Sequence, residues 1–503
     1  MSASESSPSG RLATNTAWNA ADLAVGTLTA IANSVIVARA LGPVILGRYQ
    51  FILWAATIVS VLTMYGLPVT ANRYIARYLA TGRADLAGAV VARTLRYQVL
   101  FAAVALAAGA TFALTRAPEE RLVVLLVFLS LAPALLMAVP TGVNAIDERF
   151  GGNVVPSVVA EIGGTMAILV VALSGGGLVE LAAVMLGSRT LDCTLRYALA
   201  RRRLAELFHG RAAELPEEDW REFRQMVWQS VVTQVLMFVV WDRSEILFLE
   251  LLSSPEQLAF FSVSFGLVVR LRMIPTAAVR AQTPRILKQH AVSPTLARGA
   301  TIGAMRQQLV LAVPGHLLAV AFASDAVRLL YDDRYLPAIP VMMVMAALSL
   351  PGAAARPIEA LLTAVDGRRS ILRLTAITAL ATIGLDWILI ARFDAIGAGA
   401  ANGLVSMVQA MLLGLFAWRA GGLRFTALRP WGLLGLGVIA VAVARIVTLG
   451  MPPLLSLPVG GIVAFGIYGL GLLRGRFLST HERMRLGEVV TMARTTITRR
   501  MGR

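Results

Sequence analysis

The 503-residue chain is 57% hydrophobic and only 15% charged, with a mean hydropathy of +0.71, which excludes a soluble globular protein of this size. Its net charge of +17 would suit a nucleic-acid binder, but the basic residues gather in short loops on one side of long apolar runs, which excludes that class. A single cysteine, Cys193, leaves no intrachain disulfide and no cysteine-rich metal site.

The opening MSASESSPSGRLATNT is polar, with no basic region before an apolar core and no small-residue cleavage site, so a cytoplasmic tail is expected rather than a signal peptide. Apolar runs then recur, about fourteen in all, each long enough to cross a hydrocarbon core of about 30 Å as a helix. The first six cover roughly 16–38, 49–71, 95–114, 122–143, 154–174 and 178–198. They are continuous rather than alternating, so the backbone must satisfy itself as helix and a β-barrel is excluded. Asp22 and Glu161 are lone acids within the first and fifth runs, while Arg189, Asp192 and Arg196 share one face of the sixth.

Residues 201–226 form the longest polar segment between spans, with apolar residues at helical spacing. Pro216 followed by three acids predicts a helix start, and the segment is expected to be an amphipathic cytoplasmic linker. The next runs cover roughly 227–249, 257–279, 303–323, 337–362, 371–391 and 396–418. The seventh contains Asp242, Arg243 and Glu245, although a charge at the centre of a membrane helix costs roughly 2.5 to 3.5 kcal/mol on insertion scales.

On a helix, Asp242 and Glu245 lie about 60° apart, and Arg243 and Glu245 about 200° apart, so Arg243 cannot meet Glu245 within its own helix. The eighth run offers Arg270 and Arg272, also about 200° apart, near Pro275. The expectation is that the acidic face of the seventh run pairs with one of these arginines, leaving the other and Arg243 for a substrate. Arg356 and Glu359 share a face of the tenth run, and Asp386 is a lone acid of the eleventh. Two last runs, roughly 430–450 and 455–473, have no counterpart earlier in the chain and precede an arginine-rich tail that suits a helix on anionic lipid.

The basic loops fix an expected orientation. Arg73 to Arg96 follow the second run, Arg201 to Arg224 the sixth, and Arg280 to Arg298 the eighth, whereas the intervening loops hold few basic residues. By the positive-inside rule both termini are expected in the cytoplasm.

Two patterns recur at similar spacing. Pro43, Gly47 and Tyr49 of LGPVILGRYQF are echoed about 212 residues later by Pro255, Ala259 and Phe261, and the Gly-rich loop at Gly177 by the one at Gly397 about 220 residues later. Two similar six-helix lobes are therefore expected, 1–200 and 227–419, around a central cavity, with the linker between them and 420–503 as an appendage. The fold class is thus an all-α integral membrane protein of about fourteen transmembrane helices.

The chain resembles the multidrug/oligosaccharidyl-lipid/polysaccharide exporter superfamily, and within it the Wzx-type flippases of polysaccharide biosynthesis. The resemblance covers most of the chain and rests on ARALGPVILGRYQF, GLPVTANRYIAR, DRSEILFLELLSSPEQLAFFSVSFGL, IPTAAVRAQTPRI, LLYDDRYLPAIPVMMVMAAL and FDAIGAGAANGLVS, in that order. It implies a flippase of the bacterial plasma membrane that moves a polyprenyl-pyrophosphate-linked oligosaccharide to the outer leaflet, making and breaking no bond. It also implies membrane lipids, a polysaccharide polymerase and glycosyltransferases as partners, and no cofactor.

Such cargo needs cations in a watery cavity, and guanidinium suits phosphate because it binds bidentately and keeps its charge. The candidate substrate-binding residues are Arg189, Arg243, Arg270, Arg272 and Arg356. Asp22, Glu161 and Asp386 are candidate ion-coupling acids, and Asp242, Glu245, Asp192 and Glu359 are assigned to structural ion pairs. The bland alternative is that all these pairs neutralise each other within helix contacts or snorkel to headgroups.

Other functions stay open beside this one. A lipid II flippase would carry an arginine-rich segment where GLPVTANRYIAR stands, and a drug or cation antiporter would favour an acidic, aromatic pocket. A membrane-embedded glycosyltransferase or polysaccharide ligase would need larger outer loops than the dozen or so residues expected here. SGGGL lacks the lysine and hydroxyl residue of a phosphate-binding loop, and the four histidines are isolated, so no ATP-driven or metal chemistry is expected.

Overall fold

The computed structural model describes residues 8–475, apart from 65, 210–212, 242, 243, 367, 424, 426, 427 and 429. The described residues are helical almost throughout, and the chain divides into two compact units, Met1–Ala259 and Phe260–Arg503.

The first unit begins with α1, Pro8–Met64, a run of 57 residues. At 1.5 Å per residue this is more than twice the length a bilayer core needs. It is two helices broken at Gly42, whose φ of 75° suits only a residue without a side chain, followed by Pro43, which has no amide to donate. Next come α2 (Leu67–Ala80), α3 (Ala84–Leu114), the short α4 (Pro118–Leu129), α5 (Leu131–Leu136) and α6 (Ala138–Ile146), then α7 (Gly151–Leu173) and α8 (Leu178–Phe208). The last two are α9 (Glu217–Trp241) and α10 (Glu245–Leu252). The second predicted span, 49–71, ran across a break: Gly66, with φ 97°, precedes the first residue of α2.

The predicted helix start after Pro216 is where α9 begins, with Glu217, Glu218 and Asp219 in its first turn complementing the helix dipole. This polar stretch is anchored on α2 and α3. Trp220 stacks between Tyr97 and Phe223 at centroid distances of 6.0 and 5.2 Å, with Arg93 4.2 Å over its ring. The Tyr74 hydroxyl donates to Glu222 at 2.8 Å and the Tyr78 hydroxyl to Asp219 at 2.6 Å. A segment this charged stays attached because its aromatic face is buried while its acids accept hydrogen bonds from tyrosines.

The second unit takes up α11 (Pro255–Leu271) from its sixth residue, then α12 (Met273–Val292), α13 (Pro294–Ala321), α14 (Ala323–Tyr331) and a 3-10 turn at Asp333–Tyr335. It continues with α15 (Ala338–Ala355), α16 (Pro357–Asp366), α17 (Arg368–Gly421), α18 (Pro430–Val447) and α19 (Pro453–Arg474). α17 is again two helices, broken at Asp394 with φ 49°, between the predicted eleventh and twelfth spans.

Among the described residues, eight helical runs, or ten counting two bent pairs, are long and apolar enough to span a membrane. Two of the eight are the long broken runs. α8 carries too many charges to qualify, at least three in any stretch of eighteen residues. The lipid-facing character of the spanning helices shows on α17 and α19, where Leu380 and Ile462 are 73% and 74% exposed, as expected of side chains that meet acyl chains rather than water. The chain is a multi-pass membrane protein.

The appended α18 and α19 belong to the second unit. Arg445 of α18 donates to Asp325 of α14 at 2.5 Å and lies 5.2 Å over the Phe322 ring. Gly437 and Gly460 give α18 and α19 the room to press onto Val313 and Phe322. The basic tail from 476 onward lies outside the described residues.

Candidate functional site

Candidate residues occur in both units. In the first, α7 and α8 are neighbours of each other and α7 also packs on α1. The close approach is set by Gly164, which lies against Ser188, whose hydroxyl donates to the Ala160 carbonyl at 2.8 Å. Glu161, one residue further along α7, accepts from the Thr29 hydroxyl of α1 at 3.3 Å. Gly26, a turn before Thr29, leaves the space that the Glu161 carboxylate occupies.

Asp22, Arg189 and Asp192 all lie within electrostatic range of Glu161. One carboxylate oxygen of Asp22 is buried without a partner among the described residues. Arg189 is exposed. One turn further along α8, Asp192 and Arg196 are both buried, at 6% and 8% exposure, and form a forked pair with Nε–Oδ1 2.6 Å and Nη2–Oδ2 3.2 Å. Arg196 also reaches the Thr141 hydroxyl at 3.2 Å. Two parallel hydrogen bonds plus a third donor satisfied make this the arrangement in which a buried ion pair is retained rather than expelled.

Of the seventh-span charges, Asp242 and Arg243 lie outside the described residues. Glu245 is buried as the first residue of α10, where the helix dipole favours a negative charge.

In the second unit, Arg270 is half-buried on α11 and donates to the carbonyl of Gly266 a turn earlier. Arg272 sits at the break between α11 and α12 and reaches the Asn402 side chain of α17 at 3.4 Å. It is also within electrostatic range of His316 on α13, a buried histidine whose Nδ1 lies 2.8 Å from the Ala312 carbonyl. The break between α11 and α12 is therefore what carries Arg272 off the line of Arg270, as the 200° spacing alone could not decide.

Arg356 caps α15, and its guanidinium lies 3.6 Å from Glu359, both about one-third exposed. Asp386 is wholly buried on α17, on the same face as Thr375, Thr378 and Thr382. Those threonines turn their hydroxyls back onto their own helix's carbonyls, and so add polarity without reaching across.

Thus Glu161, Asp22 and Arg189 are brought together, Asp192 is tied to Arg196, and Arg356 to Glu359. Sequence reasoning did not single out Thr29, Thr141, Asn402 or His316. A hydroxyl, an amide or a lone imidazole inside an apolar helix leaves no periodic trace, so the sequence held no signal for them. Among the described residues no group of three histidine, cysteine or acidic side chains could hold a metal ion.

A family of polysaccharide biosynthesis proteins has a sequence profile that matches residues 12–290. No curated protein sequence matches the chain. Among solved structures, the lipid II flippase MurJ in an inward closed conformation superposes with a TM-score of 0.70 at 11% identity, covering 91% of this chain and 99% of that one. An inward-facing multidrug resistance MATE family transporter of the MOP superfamily gives a TM-score of 0.62 at 16% identity, over 80% of this chain and 95% of its own. A MOP superfamily transporter from Pyrococcus furiosus gives 0.55 at 14% identity, over 84% and 97%. At these identities the likeness is one of fold.

Proposed function

This chain belongs to the polysaccharide biosynthesis protein family, and from that premise we propose that it carries a polyprenyl-pyrophosphate-linked oligosaccharide from the cytoplasmic to the outer leaflet of the plasma membrane. Family membership over more than half the chain, on the fold of the MOP superfamily, is the observation that supports this reading. Translocation proceeds by alternating access, with the prenyl tail left among the lipids and only the head taken through the protein.

In this reading Arg189, Arg270, Arg272 and Arg356, with Arg243, hold the pyrophosphate. Their placement supports the role in different degrees. Arg189 and Arg356 are open enough for an incoming phosphate to add to or replace an existing carboxylate neighbour. Arg272 stands beside Asn402, which would offer a sugar hydroxyl both a donor and an acceptor. Asp192, paired with Arg196, keeps the framework in register. Both termini face the cytoplasm, following the arginine asymmetry of the loops.

The test is deletion of the gene in a cell that depends on it, with mass spectrometry of the lipid-linked material. Untranslocated glycolipid should build up on the cytoplasmic leaflet, and single Gln substitutions at Arg189, Arg270, Arg272 and Arg356 should slow export. Build-up of unligated glycan in the outer leaflet instead would point to a ligase and refute transport. Full export by all four variants at normal protein level would remove the cationic site.

A further inference from the structure

Two cavities of the second unit share Trp418 as a common wall. The first, about 640 Å³, lies between the start of α13, with Thr295 and Arg298, and the end of α17, with Trp418 and Gly422. The second, about 610 Å³, runs between α13, α15, α16, α17 and the start of α18, and its lining is almost wholly apolar.

Depth in the membrane follows from the aromatics. Trp418 ends α17 and Trp431 begins α18, 58% and 82% exposed. Indole rings on lipid-facing helix ends settle at the headgroup level, where the ring is apolar and its N–H finds water. The cavity that holds Arg298 is therefore at headgroup height, and the apolar one reaches from Trp418 and Trp431 down to Leu309, Val313 and Leu350, into the acyl region.

The cation is held in place by the backbone. Gly422 has φ +61°, and a Cβ there would stand 3.0 Å from the guanidinium carbon of Arg298. A side chain at 422 would meet both backbone strain and the guanidinium. The Nε of Arg298 is buried with no partner among the described residues. Thr295 lies one turn earlier on the same helix, whose first-turn amides add positive potential.

We propose that this two-part groove binds one anionic glycerophospholipid of the adjoining leaflet, with its phosphodiester on Arg298 and Thr295 and an acyl chain between α13, α17 and α18. Charge complementarity selects the headgroup class. One guanidinium matches one phosphodiester charge, and the described lining carries no acid to repel it. A zwitterionic lipid would bring its own ammonium to the same guanidinium. The lipid is a resident of the fold rather than the cargo, so the site stands or falls independently of the glycan.

The test uses the purified full chain, with phosphatidylglycerol and phosphatidylcholine as probes and native mass spectrometry as the readout. One phosphatidylglycerol should be retained in preference to phosphatidylcholine. Arg298→Gln should weaken that retention about tenfold, the size expected from losing a charge-assisted hydrogen bond. Ala410→Phe, which fills the apolar groove without touching the charge, should weaken it as well. Both variants should keep the parent's melting temperature in phosphatidylcholine; should Arg298→Gln fail to fold, Ala410→Phe carries the test alone. Unchanged retention by a folded Arg298→Gln, or by a folded Ala410→Phe, would overturn the proposal. So would displacement of phosphatidylglycerol by an equimolar polyprenyl phosphate, which would make the groove part of the cargo path.

Discussion

The Cα of Gly47 on α1 lies against the carbonyl group of Pro255, the first residue of α11, with no room between them for even a methyl group. These are the small residue of one Pro-x3-small-x-aromatic pattern and the proline of the other. One close approach of backbones thus draws on both copies of the pattern. Alanine in the helix interior would normally gain up to about 1 kcal/mol over glycine. Here the added carbon would overlap backbone atoms that can move only with their helices, so overpacking should decide the sign and cost about 1–3 kcal/mol. Gly47→Ala is expected to lower the apparent melting temperature and the amount of protein in the membrane. Gly163→Ala and Gly187→Ala, where nothing stands within 4 Å of the new carbon, should leave both unchanged or raised.

How much of this was legible in the sequence depends on which physics was local. The breaks at Gly42–Pro43 and near Asp394 fell between predicted spans, because loss of an amide donor and a left-handed backbone are properties of single residues. The start of α9 after Pro216 was legible for the same reason. The turn at Gly66 was missed because its apolar flanks read as one continuous span; its φ of 97° and its contacts with Val227 and Ser230 on α9, which call for a glycine there, leave no periodic trace. The site was legible to the level of a helix face and no further. Spacing put Arg189, Asp192 and Arg196 together, but it could not say that Arg196 takes both oxygens of Asp192, or that Glu161 finds Thr29 on another helix.

A second cluster in the first unit escaped sequence reasoning because its members are far apart in the chain. Arg116 donates to Glu120 at 2.9 Å and to Glu250 at 2.8 Å, with its guanidinium over Phe51 and Phe112. Replacing the arginine leaves Glu250 without that partner and the almost fully buried Glu120 with only Arg48 at 3.4 Å, whereas replacing Glu250 leaves Arg116 still paired with Glu120. Arg116→Gln should therefore destabilise by about 1–3 kcal/mol, between the surface and buried limits, and Glu250→Gln by less. The double variant should cost less than the sum of the two. A double-mutant cycle on apparent melting temperature measures the coupling, and strict additivity would show the bonds to be energetically idle.

Arg196 and Arg272 should separate structure from transport. Removing Arg196 strands the buried Asp192 carboxylate, while the Thr141 hydroxyl keeps its bond to the Met137 carbonyl, so Arg196→Gln should lower protein level and melting temperature, with export per molecule little changed. Arg272 lies at a helix break beside a neutral amide, so Arg272→Gln should leave a folded protein whose export per molecule falls several-fold. Quantitative immunoblotting of the membrane fraction together with surface glycan measurement gives both numbers. The reverse pattern would reassign the two residues.

Of the three candidate coupling acids, Glu161 has the geometry that suits the task best. A coupling group must meet the ion from water in one state and be shielded in another, which asks for partial burial and partners that can be exchanged. Asp386 is wholly buried, while Glu161 is half-buried, accepts the Thr29 hydroxyl, and has Asp22 and Arg189 within electrostatic range. A second acid nearby raises the free energy of leaving Glu161 charged, and a nearby arginine lowers it, so a small movement of α1 or α8 relative to α7 would shift the balance between holding and releasing a cation. Glu161→Gln is therefore expected to abolish the response of export to an imposed proton or sodium gradient in inverted vesicles while leaving downhill movement of the glycolipid measurable. Thr29→Val, which removes only the hydroxyl, should keep the response and shift the gradient at which it is half-maximal. A Glu161→Gln protein that still follows the gradient as the parent does would move the coupling role to Asp22 or Asp386.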